Sequence, residues 1–232
     1  MGLLDRWRAA RTGTGPGTRP PGRRPLRRAR LAEPVLGEAQ LREQLREDPN
    51  DETAFDTLGE LVRTRAALAH EELTGRESQD ATPDPVEVQR AADNAVWALA
   101  EELAQSPKAW RPLLVLGRLS LTDDRDAALR RLGIAADRDS SGRALASALA
   151  ILREAGMNDE ALSLGVGHWR PRDHDLEAGR HLVAAAIDAG RLAEARRHLR
   201  ALAEHPDTGR AEQLRAELED ELARADRARP GR

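Results

Sequence analysis

The feature that most constrains this chain is a recurrence at 34 residues. Gly156 and Gly190 are 34 apart, and so are Ala161 and Ala195, in AGMNDEAL and AGRLAEAR. Asp139, Asp173 and Asp207 keep the same step, and Ala128 precedes Ala161 by 33. A single repeated glycine carries little weight. Several residue types sharing one period mark a repeated helix–turn–helix unit, which buries its apolar stripe only by stacking on its neighbours. The segment Ala189–Asp207 shows the unit plainly: a small-residue break, an Ala/Leu stripe at helical spacing, then Pro206 close to its end.

Composition supports helix-on-helix packing. Apolar residues make up 40% of the 232 and aromatics only 2%, so the core must be built from Ala, Leu and Val. Such small side chains let helices approach closely. The absence of cysteine removes disulfides and Cys-ligated zinc, and fits a reducing compartment. No apolar run approaches the roughly 18 residues of a membrane span, and the N-terminus lacks a secretory stretch. A cytoplasmic location is expected, either free or peripheral on the inner face of the membrane. Apart from Lys108, every basic side chain except histidine is arginine, which we read as the codon bias of a GC-rich bacterial genome.

Charge is split along the chain. Residues 1–30 hold nine Arg against Asp5, while the remainder holds 28 basic and 39 acidic residues. Residues 1–11 read as a short amphipathic basic segment, with Leu3, Leu4 and Trp7 on one face. Residues 12–36 are too rich in Arg, Pro and Gly for regular structure and read as a disordered linker. Helical period takes over from Gly37. A long helix pair is expected over about 51–105. Phe55, Leu58, Val62, Ala66, Ala69 and Leu73 form the first buried stripe, and Val88, Ala92, Ala95, Leu99 and Leu103 the second. AEQLRAELEDELARA, apolar at Leu214, Leu218 and Leu222, reads as a polar-backed C-terminal cap. Residues 37–225 are thus expected as one helical repeat domain, with 226–232 a disordered tail.

DPNDETAFDTLGEL places Pro49, Phe55, Leu58 and Gly59 where the tetratricopeptide repeat family has Pro, a large aromatic, Leu and Gly. SPKAWRPLLVLG echoes this with Pro107, Trp110 and Gly117, and Ala161 and Ala195 match the small residue of the family's second helix. Over about residues 37–207 the chain resembles that family, in roughly four units. The resemblance implies an all-α fold, a right-handed α-solenoid of stacked tetratricopeptide-like pairs. It also implies a non-catalytic adaptor or scaffold that takes a partner peptide or helix in its concave groove. The family pattern puts Arg63, Arg143, Arg153, Arg180 and His181 on or near that face, where guanidiniums would fork to the carboxylates of an acidic peptide.

Nothing in the sequence spells out catalysis or a cofactor. His174/His181 and His198/His205 are each seven apart, whereas helical zinc sites use closer pairs with a third ligand, so no metal is expected. GTGPG has no Gly-Lys-Ser/Thr ending, and LGVGHW has Arg170 where a dinucleotide fingerprint needs glycine. Trp97, Trp110 and Trp169 read as core residues, with Trp110 near a helix start where a groove would open. One competing class of function remains. Leu3, Leu4 and Trp7 with Arg23, Arg24, Arg27 and Arg28 would dock on an anionic membrane surface, in preference to nucleic acid, with the helical body as cargo. A purely solvated basic tail is the plainer reading of the same residues.

Overall fold

The structure, a computed structural model, describes residues 37–77 and 83–228, with the side chains of 75–77 outside that description. The segments called amphipathic and linker, residues 1–36, lie outside the described residues. Those described form ten α-helices, one 3-10 turn and no strand. In chain order the helices are α1 Glu38–Glu47, α2 Glu52–Glu77, α3 Pro85–Ala104, α4 Arg111–Ser120, α5 Arg125–Arg138, α6 Arg143–Glu154, α7 Asn158–His168, α8 Leu176–Asp188, α9 Leu192–Ala201 and α10 Thr208–Ala228. The last helix runs three residues into the stretch expected to be a tail. The long pair is α2 and α3, within the span expected for it.

Each helix packs on the next in the chain. Alternate helices also touch: α4 with α6, α6 with α8, α8 with α10, and α5 with α7. One continuous core follows, running from Leu41 and Leu45 in α1 to Leu214, Leu218 and Leu222 in α10.

The recurrence has a concrete geometry. Helices α6 and α8 stop in the same way. Gly156 and Gly190 take φ of 74° and 70°, a left-handed backbone that glycine enters without a Cβ penalty. Met157 N–H donates to Leu152 O at 2.9 Å, and Arg191 N–H donates to Ala186 O at 2.8 Å. Gly156 and Gly190 donate to Arg153 O and Ile187 O, each at 2.9 Å. These paired bonds close the last turn of each helix and reverse the chain into the next one. Beyond the turn, Ala161 and Ala195 are fully buried, and so is Ala128 in α5. A methyl at these places lets the second helix of a pair sit close against the first. Two of the three repeated aspartates are caps. Asp139 accepts from Ala144 N–H at 2.7 Å at the start of α6, and Asp207 from Arg210 N–H at 3.1 Å at the start of α10. At α8 the task passes to Asp175, which accepts from Glu177 N–H at 2.9 Å, two residues beyond the periodic Asp173.

The α2 stripe departs from expectation. Phe55 and Leu58 are buried, but Ala69 and Leu73 are exposed, Leu73 by 56%. Periodicity shows that α2 has an apolar face. It does not show how far along α2 a partner extends, and α1 covers only its first half. Arg65 meets Glu38, at the start of α1, at 2.7 Å.

Candidate functional site

A groove of about 640 Å³ crosses the first helices of successive pairs, lined from α2, α4, α6 and α8. Its floor is Ala146, Ser147, Ala150 and Ile151 of α6. Small side chains here leave room above the helix for another segment to approach.

One end is built around the start of α4. Trp110 lines the groove while being only 9% exposed, so it belongs to the core and the groove together. The Arg143 guanidinium lies over its ring, 5.8 Å from the centroid, within cation–π range. Trp110 sits at the N-cap of α4 and has no side-chain oxygen to cap with. Asn50, 60 residues earlier, does it instead: its Oδ1 accepts from Trp110 N–H at 2.8 Å and from Arg111 N–H at 3.0 Å. Its Nδ2 donates to Lys108 O at 2.9 Å. The turn before α2 thereby fixes the start of α4. Arg111 is buried and reaches back to α2, with Nη2 3.0 Å from Asp56 Oδ1 and 3.5 Å from Glu52 Oε1. Burial pushes its guanidinium below the usual range, and the Asp56 carboxylate opposes that shift.

The other end is a three-residue cluster between α6 and α8. Arg153 Nε and Nη2 donate to Asp188 Oδ2 at 3.0 and 2.8 Å, and Nη1 stands 3.1 Å from His181 Nδ1. A guanidinium only donates, so His181 Nδ1 accepts and the ring proton is on Nε2. Burial, then the charges of Arg153 and Arg180, push the His181 pKa down to about 4. The imidazole is therefore neutral at pH 7, a fixed dipole beside a compensated ion pair.

Of the residues expected on the concave face, Arg143, Arg153 and His181 are among those that line the groove. Arg63 and Arg180 are not among its lining residues. Arg63 turns towards α3 and pairs with Asp93 at 2.9 Å, its side chain 11% exposed. Arg180 bridges Glu177 and Glu217 at 3.2 and 3.1 Å, tying α8 to α10. The groove also carries carboxylates, Glu52, Glu154, Asp175, Glu177 and Asp188, against the guanidiniums of Arg111, Arg143 and Arg153. Glu154 is itself paired with Arg118 at 3.1 Å. The groove is thus of mixed sign.

The remaining tryptophans pack as expected. Trp97 and Trp169 are partly buried against the core. Arg131 lies 4.9 Å from the Trp97 centroid. Leu3, Leu4, Trp7, Arg23, Arg24, Arg27 and Arg28, assigned to a membrane or polyanion, lie outside the described residues. Among the described residues no three His, Asp or Glu side chains gather as a metal set, and no helix is long and apolar enough to cross a membrane. Comparison with protein-family models, curated proteins and solved structures finds no match to this chain.

Proposed function

We propose that this chain is a tetratricopeptide-like α-solenoid that acts as a non-catalytic adaptor, holding a segment of a partner protein in the groove across α4, α6 and α8. One observation carries the reading. Helix α6 presents a small-residue floor between α4 and α8, closed at one end by Arg143 over Trp110 and at the other by Arg153, His181 and Asp188. Most of the polar groups within it are already engaged, Arg111, Arg153, Glu154 and Glu177 in ion pairs and Asp175 as a helix cap, an arrangement suited to recognition rather than to chemistry at a reacting atom. A helix or extended peptide with apolar residues spaced to meet Ala146 and Ala150 fits the floor. Its flanking charges are of both signs: a carboxylate towards Arg143, which makes no ion pair among the described residues, and a cation towards Asp175 and Glu177.

The test is capture of a partner from the native cell extract by the full chain, followed by the same capture with the floor filled. Ala150→Trp should reduce recovery at least tenfold at unchanged helicity. Val166→Glu, on an exposed position of α7 away from the groove, should leave it unchanged. Equal recovery by the wild type and Ala150→Trp would remove the groove as the binding site.

A further inference from the structure

The second half of α2 carries an apolar face that nothing among the described residues covers. Leu61 and Leu68 are 37% and 54% exposed. With Thr64, Arg65, Ala69 and Glu72 they line a trough of about 410 Å³ along the helix. Leu73 and, at the start of α3, Val86 are exposed as well. Four of the six large apolar side chains left exposed among the described residues thus lie on the long pair. Exposed leucines on one helix face, repeated at seven-residue spacing, are what a packing partner normally covers.

The trough carries its charges in an order that a second copy of itself complements. Arg65 and Glu72 are seven residues apart and flank Leu68 and Ala69 evenly. Each lies about 5 Å along the axis from the midpoint between Leu68 and Ala69. A second α2 laid antiparallel across that midpoint brings its Glu72 level with this Arg65, and its Arg65 level with this Glu72. A parallel copy in register would set Arg against Arg and Glu against Glu. The charges therefore select a two-fold arrangement, in which one patch serves both partners. Both groups can take part. Glu72 is exposed and makes no ion pair among the described residues. The Arg65 side chain is 65% exposed, and its contact with Glu38 engages Nη1 alone, at 2.7 Å. A guanidinium has five N–H donors, enough for a second carboxylate.

We propose that this face is a homodimer interface, in which two copies of the chain pair their α2 helices antiparallel, crossing at Leu68–Ala69. Leu68 of each copy packs on Leu68 and Ala69 of the other, and the small Ala69 lets the two axes approach. Leu61 falls against the last turn of the opposite α2. Two Arg65–Glu72 pairs between the copies close the apolar centre on either side. One helix face over Leu61–Leu73, about 20 Å long, is small for a specific interface, so association is expected on the order of micromolar. The groove across α4, α6 and α8 is made of other residues. The dimer would carry two such grooves, and its existence does not depend on what they bind.

Sedimentation velocity on the full chain, from about 5 to about 200 μM, should show monomer giving way to dimer. Monomer throughout would overturn the proposal and leave the trough to another occupant. Arg65→Glu and Glu72→Arg should each weaken self-association at least tenfold at unchanged helicity, because each homodimer then sets like charges together twice. Mixed one to one, the two variants should associate as wild type does, since both cross-pairs are again opposite in sign. A mixture no better than its components would overturn the antiparallel pairing. A second measurement does not depend on charge. The chain has no cysteine. Leu68→Cys, close to the two-fold axis, should form a covalent dimer under mild oxidation several-fold faster than Val166→Cys, whose position is exposed on α7. Equal rates would also refute the proposal.

Discussion

His181 is held neutral by its surroundings, and that has a pH consequence. Its folded pKa, about 4, lies below the ordinary 6.5 of the unfolded chain. Between these values the unfolded chain takes up a proton that the folded one refuses. This contribution to stability is therefore complete above pH 6.5 and is lost as pH falls towards 4, with a ceiling of about 3 kcal/mol. His174 and His198, both lowered chiefly by burial, act in the same direction. In urea titrations at pH 7.5 and 4.5, wild type should lose about 1–3 kcal/mol more than His181→Gln, whose amide still accepts from Arg153 but does not titrate. Equal losses would mean that the ring is solvated. Site residues were legible to the degree that helical register alone fixed them. Arg153 and His181, 28 positions apart on α6 and α8, come together through the stacking of those helices. Arg63 shares their register, but it sits on the long pair, where Asp93 of α3 offers a nearer carboxylate. A guanidinium on a long stem follows its nearest acid, and no sequence pattern reveals which that is.

At the scale of the element, helix ends were more legible than helix faces. The left-handed glycines that end α6 and α8, and the caps Asp139 and Asp207, stand in the sequence as the 34-residue recurrence, because turn geometry admits few residue types. Gly190→Ala meets no atom within 4 Å of the added methyl, so its cost is backbone strain alone, about 1–2 kcal/mol by chemical denaturation. The cap of α4 escaped notice because its acceptor, Asn50 Oδ1, is remote. The signal was an absence: KAWRPLL begins a helix without Ser, Thr, Asp or Asn at its first position. Asn50→Ala should lower stability by about 1–2 kcal/mol and loosen Trp110 at the groove mouth, read as a shift in tryptophan emission. Unchanged stability and emission would show that solvent caps α4 as well as Asn50 does. A comparable role falls to Arg138, whose Nη1 donates to Ala104 O, Ser106 O and Ala109 O at 3.2, 3.0 and 3.0 Å. One guanidinium gathers the last carbonyl of α3 and two carbonyls of the turn that follows it, so Arg138→Leu should destabilise by about 2 kcal/mol and Arg138→Lys by less.

For the whole molecule, helix class and helix-pair periodicity were carried by the Ala/Leu stripes, but the charge of the groove was not. Composition showed an acidic body and a basic N-terminal segment. It did not show that Asp175, Glu177 and Asp188 would face Arg143 and Arg153 across α6 and α8, since acids on one helix look solvated until the next helix is in place. Helices pack chiefly on those one or two places away in the chain, so stability should be graded along it. Amide exchange should be slowest around Leu145, Leu149 and Leu182, all fully buried, and fastest at the far ends of α2 and α3. A single uniform exchange rate from α1 to α10 would contradict this gradient.

The shared ending of α6 and α8 has one more implication. Ala155 and Ala189 each precede a left-handed glycine and the same pair of closing bonds. Splicing the chain from Ala155 directly to Gly190 rebuilds that reversal and leads straight into α9, whose Ala195 occupies the place of Ala161. Excision or duplication of 34 residues at this seam preserves the grammar of the turn, so copy number is a variable that evolution or an engineer can adjust without inventing a new junction.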